Sequence, residues 1–178
     1  MLLLHFVILY TCHTSMKNIT YARLNCSVIV LFIFFLDQIT KYLVVKYLIF
    51  SESIKALPFL NISLAYNKGI AFSMLADSAD TILQIIVAID ILIVLFLIYW
   101  IRKLSLQDGI LMYAFSLIIG GAIGNIGDKI HLGYVVDFID FHIHGWHFAT
   151  FNIADSAICI GTIVYIIDSL IKYRAKKI

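Results

Sequence analysis

Four long runs of apolar residues organise the chain, at residues 26–48, 81–101, 109–126 and 152–171. A helix of about 20 apolar residues crosses a hydrocarbon layer of about 30 Å, and in lipid the backbone has to be hydrogen-bonded within helices or closed barrels. The pattern therefore predicts an all-α membrane protein, a four-transmembrane-helix bundle. Composition agrees, because 62% of the 178 residues are hydrophobic and only 13% are charged.

The two long connectors between these runs carry a pattern typical of strands. Residues 60–66 alternate apolar side chains with polar or small ones, which is the period of a half-buried strand. The turn signal Asn-Lys-Gly at 67–69 predicts a small β-hairpin that returns through residues 70–73. The second connector alternates over 141–148, with a bend expected at Gly145. We therefore expect a β-hairpin or cradle and a second loop beside the helix bundle.

Charge orients the predicted helices. Basic residues precede the first run, separate the second from the third, and follow the fourth; they are Lys17, Arg23, Arg102, Lys103, Lys172, Arg174, Lys176 and Lys177. An excess of Lys and Arg marks the cytoplasmic ends of membrane helices. This predicts that both termini are cytoplasmic and that the hairpin at 49–80 and the second loop at 127–151 are extracytoplasmic.

The first residues, 1–15, read MLLLHFVILYTCHTS. Their apolar run is too short to span a membrane, and no basic residue precedes it as a secretory signal requires. We interpret Met16 as the true start and the upstream residues as a dispensable extension.

Charged groups inside the apolar runs need a physical reason, since each costs at least about 2.5 kcal/mol at the centre of a membrane. Asp37 and Lys41 are four residues apart on the first helix and can form an ion pair. Asp90 has no such partner in its own helix, so we expect it either to be protonated or to face the bundle interior.

Two further carboxylates, Asp137 and Asp155, are predicted to lie at the outer membrane boundary, with Asn152 on the same helix face as Asp155. Two carboxylates within a few Å share a proton, and such a pair can activate water and protonate a leaving amine. Asp140 alternates with Phe141 and is expected to be solvated. From the residue pattern alone, catalysis and a structural or ion-pathway role for the pair both stay open.

Four histidines near this boundary raise the alternative of a metalloprotease or metal-binding protein; they are His131, His142, His144 and His147. The chain contains no HExxH motif, and Cys12, Cys26 and Cys159 form neither a CxxC motif nor a cluster. We therefore expect no metal site and interpret the cysteines as small apolar fillers.

A small membrane transporter or ion-pathway protein is the second alternative, with Asp90 and Asp168 as a proton path. The sequence lacks the inverted repeat often found in such folds. A proton path also leaves the outer pair, Asp137 and Asp155, unexplained.

Five stretches of the chain, taken together and in order, resemble lipoprotein signal peptidase (signal peptidase II), a bacterial membrane aspartic protease family. They are DQITK (37–41), NISLAYNKGIAFS (61–73), GGAIGNIGDK (120–129), GYVVDFIDF (133–141) and FNIADSAI (151–158). The resemblance covers about residues 26–172. It implies a protease that removes the signal peptide from diacylglyceryl-modified prolipoproteins, cutting just before the lipidated Cys, with no cofactor.

The same resemblance implies roles for individual residues. Asp137 and Asp155 would form the catalytic dyad, with Asn152 in support. Other positions would shape the substrate pocket, namely Asp37, Lys41, Asn67, Gly121 and Asn125. Lys129 stands where the family usually has Arg, and Lys offers a single point charge where Arg has a planar fork suited to bidentate binding.

The resemblance also implies an organisation and a location. The chain divides into an N-terminal extension and cytoplasmic lead-in (1–25), a four-helix membrane peptidase domain (26–172) and a basic cytoplasmic tail (173–178). Expected partners are diacylglyceryl prolipoprotein substrates and membrane lipids, with no nucleic acid, and the protein is expected to be a monomer. Its expected location is the bacterial cytoplasmic (inner) membrane, with the active site near the outer, periplasmic face.

Overall fold

The computed structural model describes residues 2–50, 52–68, 79–175 and 177, with the backbone alone for residues 2–17 and 79. Its long helices are α1 (Leu2–Tyr47), α2 (Ala79–Lys103), α3 (Gly109–Leu132) and α4 (Ile153–Ala175), and a short 3₁₀ helix (Leu106–Asp108) precedes α3. All four long helices contain a stretch long and apolar enough to cross a membrane. The predicted four-helix membrane architecture is confirmed.

The membrane-crossing stretches match the apolar runs of the sequence, with different ends. They are Asn18–Tyr47, Asp80–Lys103, Leu106–Leu132 and Ile153–Ala175. The third continues past residue 126, where the predicted run stops, because the polar side chains there have partners inside the bundle. Upstream, α1 runs without a break from Leu2 through the residues assigned to the N-terminal extension. The domain division itself stays a prediction.

The central helix of the bundle is α3. Of its apolar stretch 56% is buried, against 11% for the stretches in α1 and α2 and 22% for that in α4, and α3 packs against all three. Small residues allow this close approach, because a Cβ at Gly121 would collide with the carbonyl oxygen of Ala154. The outer surfaces of the other helices expose large apolar side chains, as helices facing lipid do.

A four-stranded antiparallel sheet covers one end of the bundle. Its strands are β1 (Ser53–Leu57), β2 (Leu60–Asn67), β3 (Val135–Ile143) and β4 (Trp146–His147), in that order across the sheet. The strand predicted at 60–66 is confirmed as β2. It forms a hairpin with β1 across a turn at Pro58 and Phe59. The predicted return arm at 70–73 lies outside the described residues.

The second connector joins this sheet, so the expected hairpin and separate loop form one unit. β3 pairs with β2, and Val136 and Phe138 of β3 pack with Leu64 of β2 and Val44 of α1 in a buried cluster. The bend predicted at Gly145 is confirmed. β3 and β4 are joined by two residues with φ of 49° at His144 and 80° at Gly145, and glycine adopts such positive φ without strain.

Candidate active site

The first turn of α4 holds Asp155 in a fixed position. Asn152 precedes the helix, and its Oδ1 accepts a hydrogen bond from the backbone N–H of Asp155 at 2.9 Å. In return, Asp155 Oδ2 accepts one from the backbone N–H of Asn152 at 3.2 Å. This is the reciprocal arrangement of a capping box, which satisfies backbone donors that a helix start otherwise leaves unpaired. Asn125 of α3 also donates to Asp155 Oδ1 at 2.8 Å.

The other carboxylate, Asp137, lies on β3 and is only 2% exposed. Asn152 Nδ2 donates to its Oδ1 at 2.7 Å, and Asn67 Nδ2, at the end of β2, donates to its Oδ2 at 3.0 Å. The backbone adds a further link, because the carbonyl of Phe151, just before α4, accepts from the N–H of Ile139 at 2.7 Å. Asp137 and Asp155 are therefore both hydrogen-bonded to Asn152.

Burial raises the pKa of Asp137 to about 6, because the charged carboxylate loses its hydration. The hydrogen bond from Asn67 opposes the rise, the nearby charge of Asp155 adds to it, and the hydrogen bond from Asn152 and the charge of Lys41 also oppose it. The net effect keeps a proton on Asp137 up to about pH 6, well above the range of an ordinary aspartate. A carboxylate pair that holds one proton is the electrostatic condition for acid–base catalysis by two aspartates.

A buried cluster of charged side chains around Lys41 lies next to the dyad and is linked to it by hydrogen bonds. Lys41 Nζ lies 2.7 Å from Asp37 Oδ2 and 2.9 Å from Asp128 Oδ2, and it donates to Asn125 Oδ1 at 3.0 Å. The predicted pair of Asp37 and Lys41 is therefore present, with a third member. Because Lys41 orients the amide of Asn125, and Asn125 donates to Asp155, the cluster is connected to the dyad.

The two carboxylates of this cluster also bind the backbone near the dyad. Asp37 Oδ1 accepts from the N–H of Ala154 in the first turn of α4, at 2.9 Å. Asp128 Oδ2 accepts from the N–H of Val136, next to Asp137, at 3.1 Å. Gln38 bridges Asp37 and Asp128 with hydrogen bonds of 3.2 and 3.1 Å. Thus α1 and α3 fix the segments that carry both catalytic candidates.

Sequence reasoning did not select Asp128 or Gln38 as site residues. Both lie inside stretches quoted for the family resemblance, and Asp128 is three residues after Asn125, so the two side chains share a face of α3. That three-residue spacing was the sequence feature from which Asp128 could have been selected. Gly121, predicted to shape the pocket, lies against the Ala154 carbonyl instead of against a dyad carboxylate, so it acts by letting α3 approach the start of α4.

Lys129 and Asp90 are joined to each other. Lys129 Nζ of α3 lies 2.6 Å from Asp90 Oδ2 of α2, and the side chains are 14% and 29% exposed. Asp90 therefore faces the bundle interior, where it has a cationic partner. This is one of the two possibilities that the sequence left open, the other being a protonated Asp90. No hydrogen bond in the described part of the chain joins Lys129 to Asp137 or Asp155.

The expectation that Asp140 is solvated is wrong. Asp140 is 8% exposed; Asn61 Nδ2 donates to its Oδ2 at 3.1 Å, and His147 Nδ1 lies 2.7 Å from its Oδ1. Burial raises the pKa of Asp140, but the hydrogen bonds from His147 and Asn61 outweigh burial and hold the pKa below its ordinary value. The reason for the error is that β2 and β4 cover this part of β3.

Side chains that suggested a transporter or a metal-binding protein have partners close by. Asp168 pairs with Lys172 at 2.9 Å, near the end of the bundle away from the dyad, while Asp90 pairs with Lys129. His142 stacks on His147 with ring centroids 5.0 Å apart. Over the described ranges, no three His, Cys, Asp or Glu side chains gather as a metal-ligand group. The transporter alternative is not favoured.

Comparison with known proteins gives this arrangement a context. The sequence model of the family described as Signal peptidase (SPase) II matches residues 29–171. A lipoprotein signal peptidase of Coxiella burnetii (strain RSA 493 / Nine Mile phase I) is 45% identical over 141 residues, which are 79% of this chain and 86% of that protein. One of Francisella tularensis subsp. novicida (strain U112) is 40% identical over 154 residues, 86% of this chain and 96% of that protein.

The fold agrees with a solved structure as well. A bacterial membrane enzyme determined by the in meso method at 1.9 Å resolution superposes with a TM-score of 0.74 at 37% identity, covering 82% of this chain and 92% of that one. The chain belongs to the signal peptidase II family of membrane proteases.

Proposed function

We infer that this chain removes the signal peptide from diacylglyceryl-modified prolipoproteins, cutting just before the lipidated Cys, with Asp137 and Asp155 as its catalytic dyad. The observation that carries the proposal is the shared asparagine: Asn152 donates to Asp137 through its side chain and to Asp155 through its backbone. Membership of a peptidase family supplies the reaction class. The relatives named lipoprotein signal peptidases supply the substrate.

In the first step a water molecule attacks the carbonyl carbon of the residue before the lipidated Cys. Asp155, ionised, takes a proton from this water, while Asp137, protonated, donates its proton to the carbonyl oxygen. The raised pKa of Asp137, about 6, suits the donor role. The product is a neutral tetrahedral diol, and the proton has moved from Asp137 to Asp155.

In the second step the diol collapses and the C–N bond breaks. Asp155 gives its proton to the departing amine of the lipidated Cys, and Asp137 recovers a proton from a diol hydroxyl. The signal peptide leaves with a new carboxyl group, and the dyad returns to its starting protonation state. All protons are accounted for by one water and two carboxylates, so the reaction needs no other group.

The surrounding amides fit this proton exchange. Asn67 and Asn152 donate to the two oxygens of Asp137, and Asn125 donates to Asp155, so neither carboxylate can rotate freely. Lys41, held between Asp37 and Asp128, keeps Asn125 in place. Fixed donors and acceptors lower the reorganisation required in the transition state.

We place the dyad at the outer face of the bacterial inner membrane, with both termini cytoplasmic. The dyad end of the bundle is opposite the basic helix ends, which the positive-inside rule assigns to the cytoplasm. Exposed aromatic side chains on the sheet, such as Phe59, Trp146 and Phe148, have the character of residues that anchor in lipid headgroups. We propose a monomer, since all residues of the inferred dyad and its supporting cluster come from one chain.

The test is cleavage of a purified prolipoprotein by the purified protein in detergent micelles or liposomes. A diacylglyceryl-modified substrate should release its signal peptide, and the same substrate without the diacylglyceryl group should be cleaved far more slowly. Cleavage should persist in EDTA and stop with globomycin, the cyclic peptide antibiotic that inhibits the family. Loss of activity on chelation, restored by zinc, would refute the aspartic mechanism.

A further inference from the structure

A cavity lies between α1 and α2, far from the dyad. Its volume is about 400 Å³, and Ile98 and Ile101 of α2 and Ile119 and Ile123 of α3 contribute apolar walls. Leu31 of α1, 54% exposed, also lines it, so the cavity opens onto the surface that faces lipid. Volumes of about 300–1,000 Å³ are typical of sites that hold a small ligand.

Two arginines lie at one end of this cavity. Arg23 of α1 and Arg102 of α2 both line it, and Arg23 Nη2 donates to the backbone carbonyl of Arg102 at 2.9 Å. This bond satisfies a carbonyl in the last turn of α2 and brings the two cationic side chains to the same opening. Within the ranges that the structure describes, neither guanidinium forms a salt bridge with a carboxylate.

The cavity is separate from the peptidase site. Arg23 precedes Asp37 by 14 residues on the same helix, which corresponds to about 21 Å at 1.5 Å per residue. Asp108, the carboxylate nearest in the chain to this end of α2, is engaged elsewhere, because it pairs with Lys172. An apolar groove open to lipid, with two uncompensated cations at the basic end of the bundle, matches a ligand with a hydrocarbon tail and an anionic head.

We propose that this cavity is a binding site for an anionic phospholipid of the leaflet opposite the dyad. The lipid phosphate contacts Arg23 and Arg102, and an acyl chain lies along the isoleucine walls. Basic pockets between membrane helices on the cytoplasmic side bind anionic headgroups by the same physics. Since α1 and α2 both pack on α3, a lipid between them fills the space that their side chains leave and joins the two helices.

The experiment is native mass spectrometry of the delipidated full chain, titrated with dioleoylphosphatidylglycerol or, separately, with dioleoylphosphatidylcholine. The acyl chains are identical, so only the headgroup differs. The first molecule of phosphatidylglycerol that binds should do so at least tenfold more tightly than the first molecule of phosphatidylcholine. Arg23→Gln/Arg102→Gln should weaken that binding by about 30-fold, the equivalent of about 2 kcal/mol at 1.4 kcal/mol per tenfold, with each arginine contributing about half.

Two further variants separate the site from general surface charge. Arg174→Gln/Lys177→Gln removes the same charge from exposed positions at the same, basic end of the bundle and should leave the affinity within about twofold. Ser27→Phe keeps both arginines but fills the cavity that Ser27 lines, and it should also weaken binding. Prolipoprotein cleavage in each variant verifies that the protein is folded.

Three results from the two lipids and the charge variants would overturn the proposal. They are equal affinity for the two lipids, retained affinity in the Arg23/Arg102 double variant, or an equal loss in the Arg174/Lys177 control. Unchanged affinity in the Ser27→Phe variant would also contradict it, because a headgroup held by surface charge alone needs no cavity.

Discussion

At the scale of single residues, the contrast between Asp137 and Asp140 shows how environment separates two carboxylates on one strand. Both are buried, at 2% and 8% exposure. Burial and the charge of Asp155 raise the pKa of Asp137 to about 6, against the lowering effect of its two amide donors. Asp140 has a histidine beside it, and its pKa is lowered. Of these two carboxyl groups, only Asp137 therefore keeps its proton up to about pH 6.

Replacing either dyad residue by its amide should abolish cleavage. In Asp137→Asn and Asp155→Asn, the amide can neither accept the proton of water nor exchange one with its partner, so we expect a loss of at least about a thousandfold. Asp168→Asn removes another buried carboxylate of α4, paired with Lys172 at the far end, and should retain most activity. The measurement is prolipoprotein processing at matched protein levels; an active Asp137→Asn or Asp155→Asn protein would end the assignment.

Asn67 should control the pH dependence of cleavage. Asp137 has to be protonated to act as the acid, so kcat/KM should fall as pH rises through its pKa, about 6 in the free enzyme. The hydrogen bond from Asn67 lowers this pKa. In Asn67→Ala the pKa of Asp137 should therefore rise, so that the protonated form persists to higher pH. The alkaline limb of the kcat/KM profile should then shift to higher pH.

Asn61→Ala is the matched control for this shift. Asn61 lies on the same strand and donates to Asp140 instead of Asp137. Its removal should leave the alkaline limb in place, whatever it does to stability. An Asn67→Ala profile that stays fixed or moves to lower pH would show that Asp137 is not the titrating acid.

At the scale of elements, the contact between α3 and α4 should depend on Gly121. A Cβ there meets the Ala154 carbonyl oxygen, in the turn that carries Asp155. Gly121→Ala should therefore push α4 away, at a cost of about 1–3 kcal/mol in unfolding free energy, and reduce cleavage strongly. The measurements are thermal unfolding in detergent and prolipoprotein processing.

Gly127→Ala serves as the control on the same helix. A Cβ at Gly127 has no neighbour within 4 Å in the described structure, and alanine favours a helix over glycine by about 1 kcal/mol. This variant should be as active as the wild type and equally or more stable. If Gly121→Ala behaves in the same way, the close approach of α3 and α4 does not matter for the site.

The ion pair between α2 and α3 offers a test of what Lys129 does. We expect Lys129→Arg to stay active. Lys129→Ala should lose stability, because Asp90 is left without its partner, and it should also lose much of its cleavage rate. Asp90→Asn alone should retain most cleavage. The double variant Asp90→Asn/Lys129→Ala removes the unpaired charge, so it should regain thermal stability.

If Lys129 also holds a substrate carbonyl through a charge-assisted contact, the double variant should regain stability without regaining cleavage. That is the expected result. Full recovery of both would show that Lys129 serves only to pair Asp90.

At the scale of the whole molecule, the orientation can be tested by labelling. In a chain with Cys12, Cys26 and Cys159 replaced by Ala, Trp146→Cys should react with a membrane-impermeant maleimide added to intact spheroplasts. Lys177→Cys should react only after lysis, because the basic ends face the cytoplasm. A chain that begins at Met16 should give the same pattern and cleave normally. Reversed labelling would contradict the orientation, and failure of the shorter chain to insert would contradict the assignment of residues 1–15 as dispensable.

The order of residues alone was enough to predict the four membrane helices, strand β2 and the bend at Gly145. Each follows from a local property of the chain: hydropathy over about 20 residues, alternation with period two, or the freedom of glycine at positive φ. The family resemblance named Asp137, Asp155 and their supporting residues in the same way, from short stretches read in order. None of these inferences requires knowledge of which distant segments touch.

How distant segments of the chain combine could be read only from the folded structure. The pairing of Asp90 with Lys129, the place of Asp128 beside Lys41, and the union of both connectors in one sheet join residues tens of positions apart. The expected solvation of Asp140 was wrong for the same reason. Alternation separates a buried face from an exposed one only when one side of a strand meets water, and β3 is buried at Val135–Phe138 and again at Asp140. Which neighbours cover a strand is set by long-range packing, not by the order of its own residues.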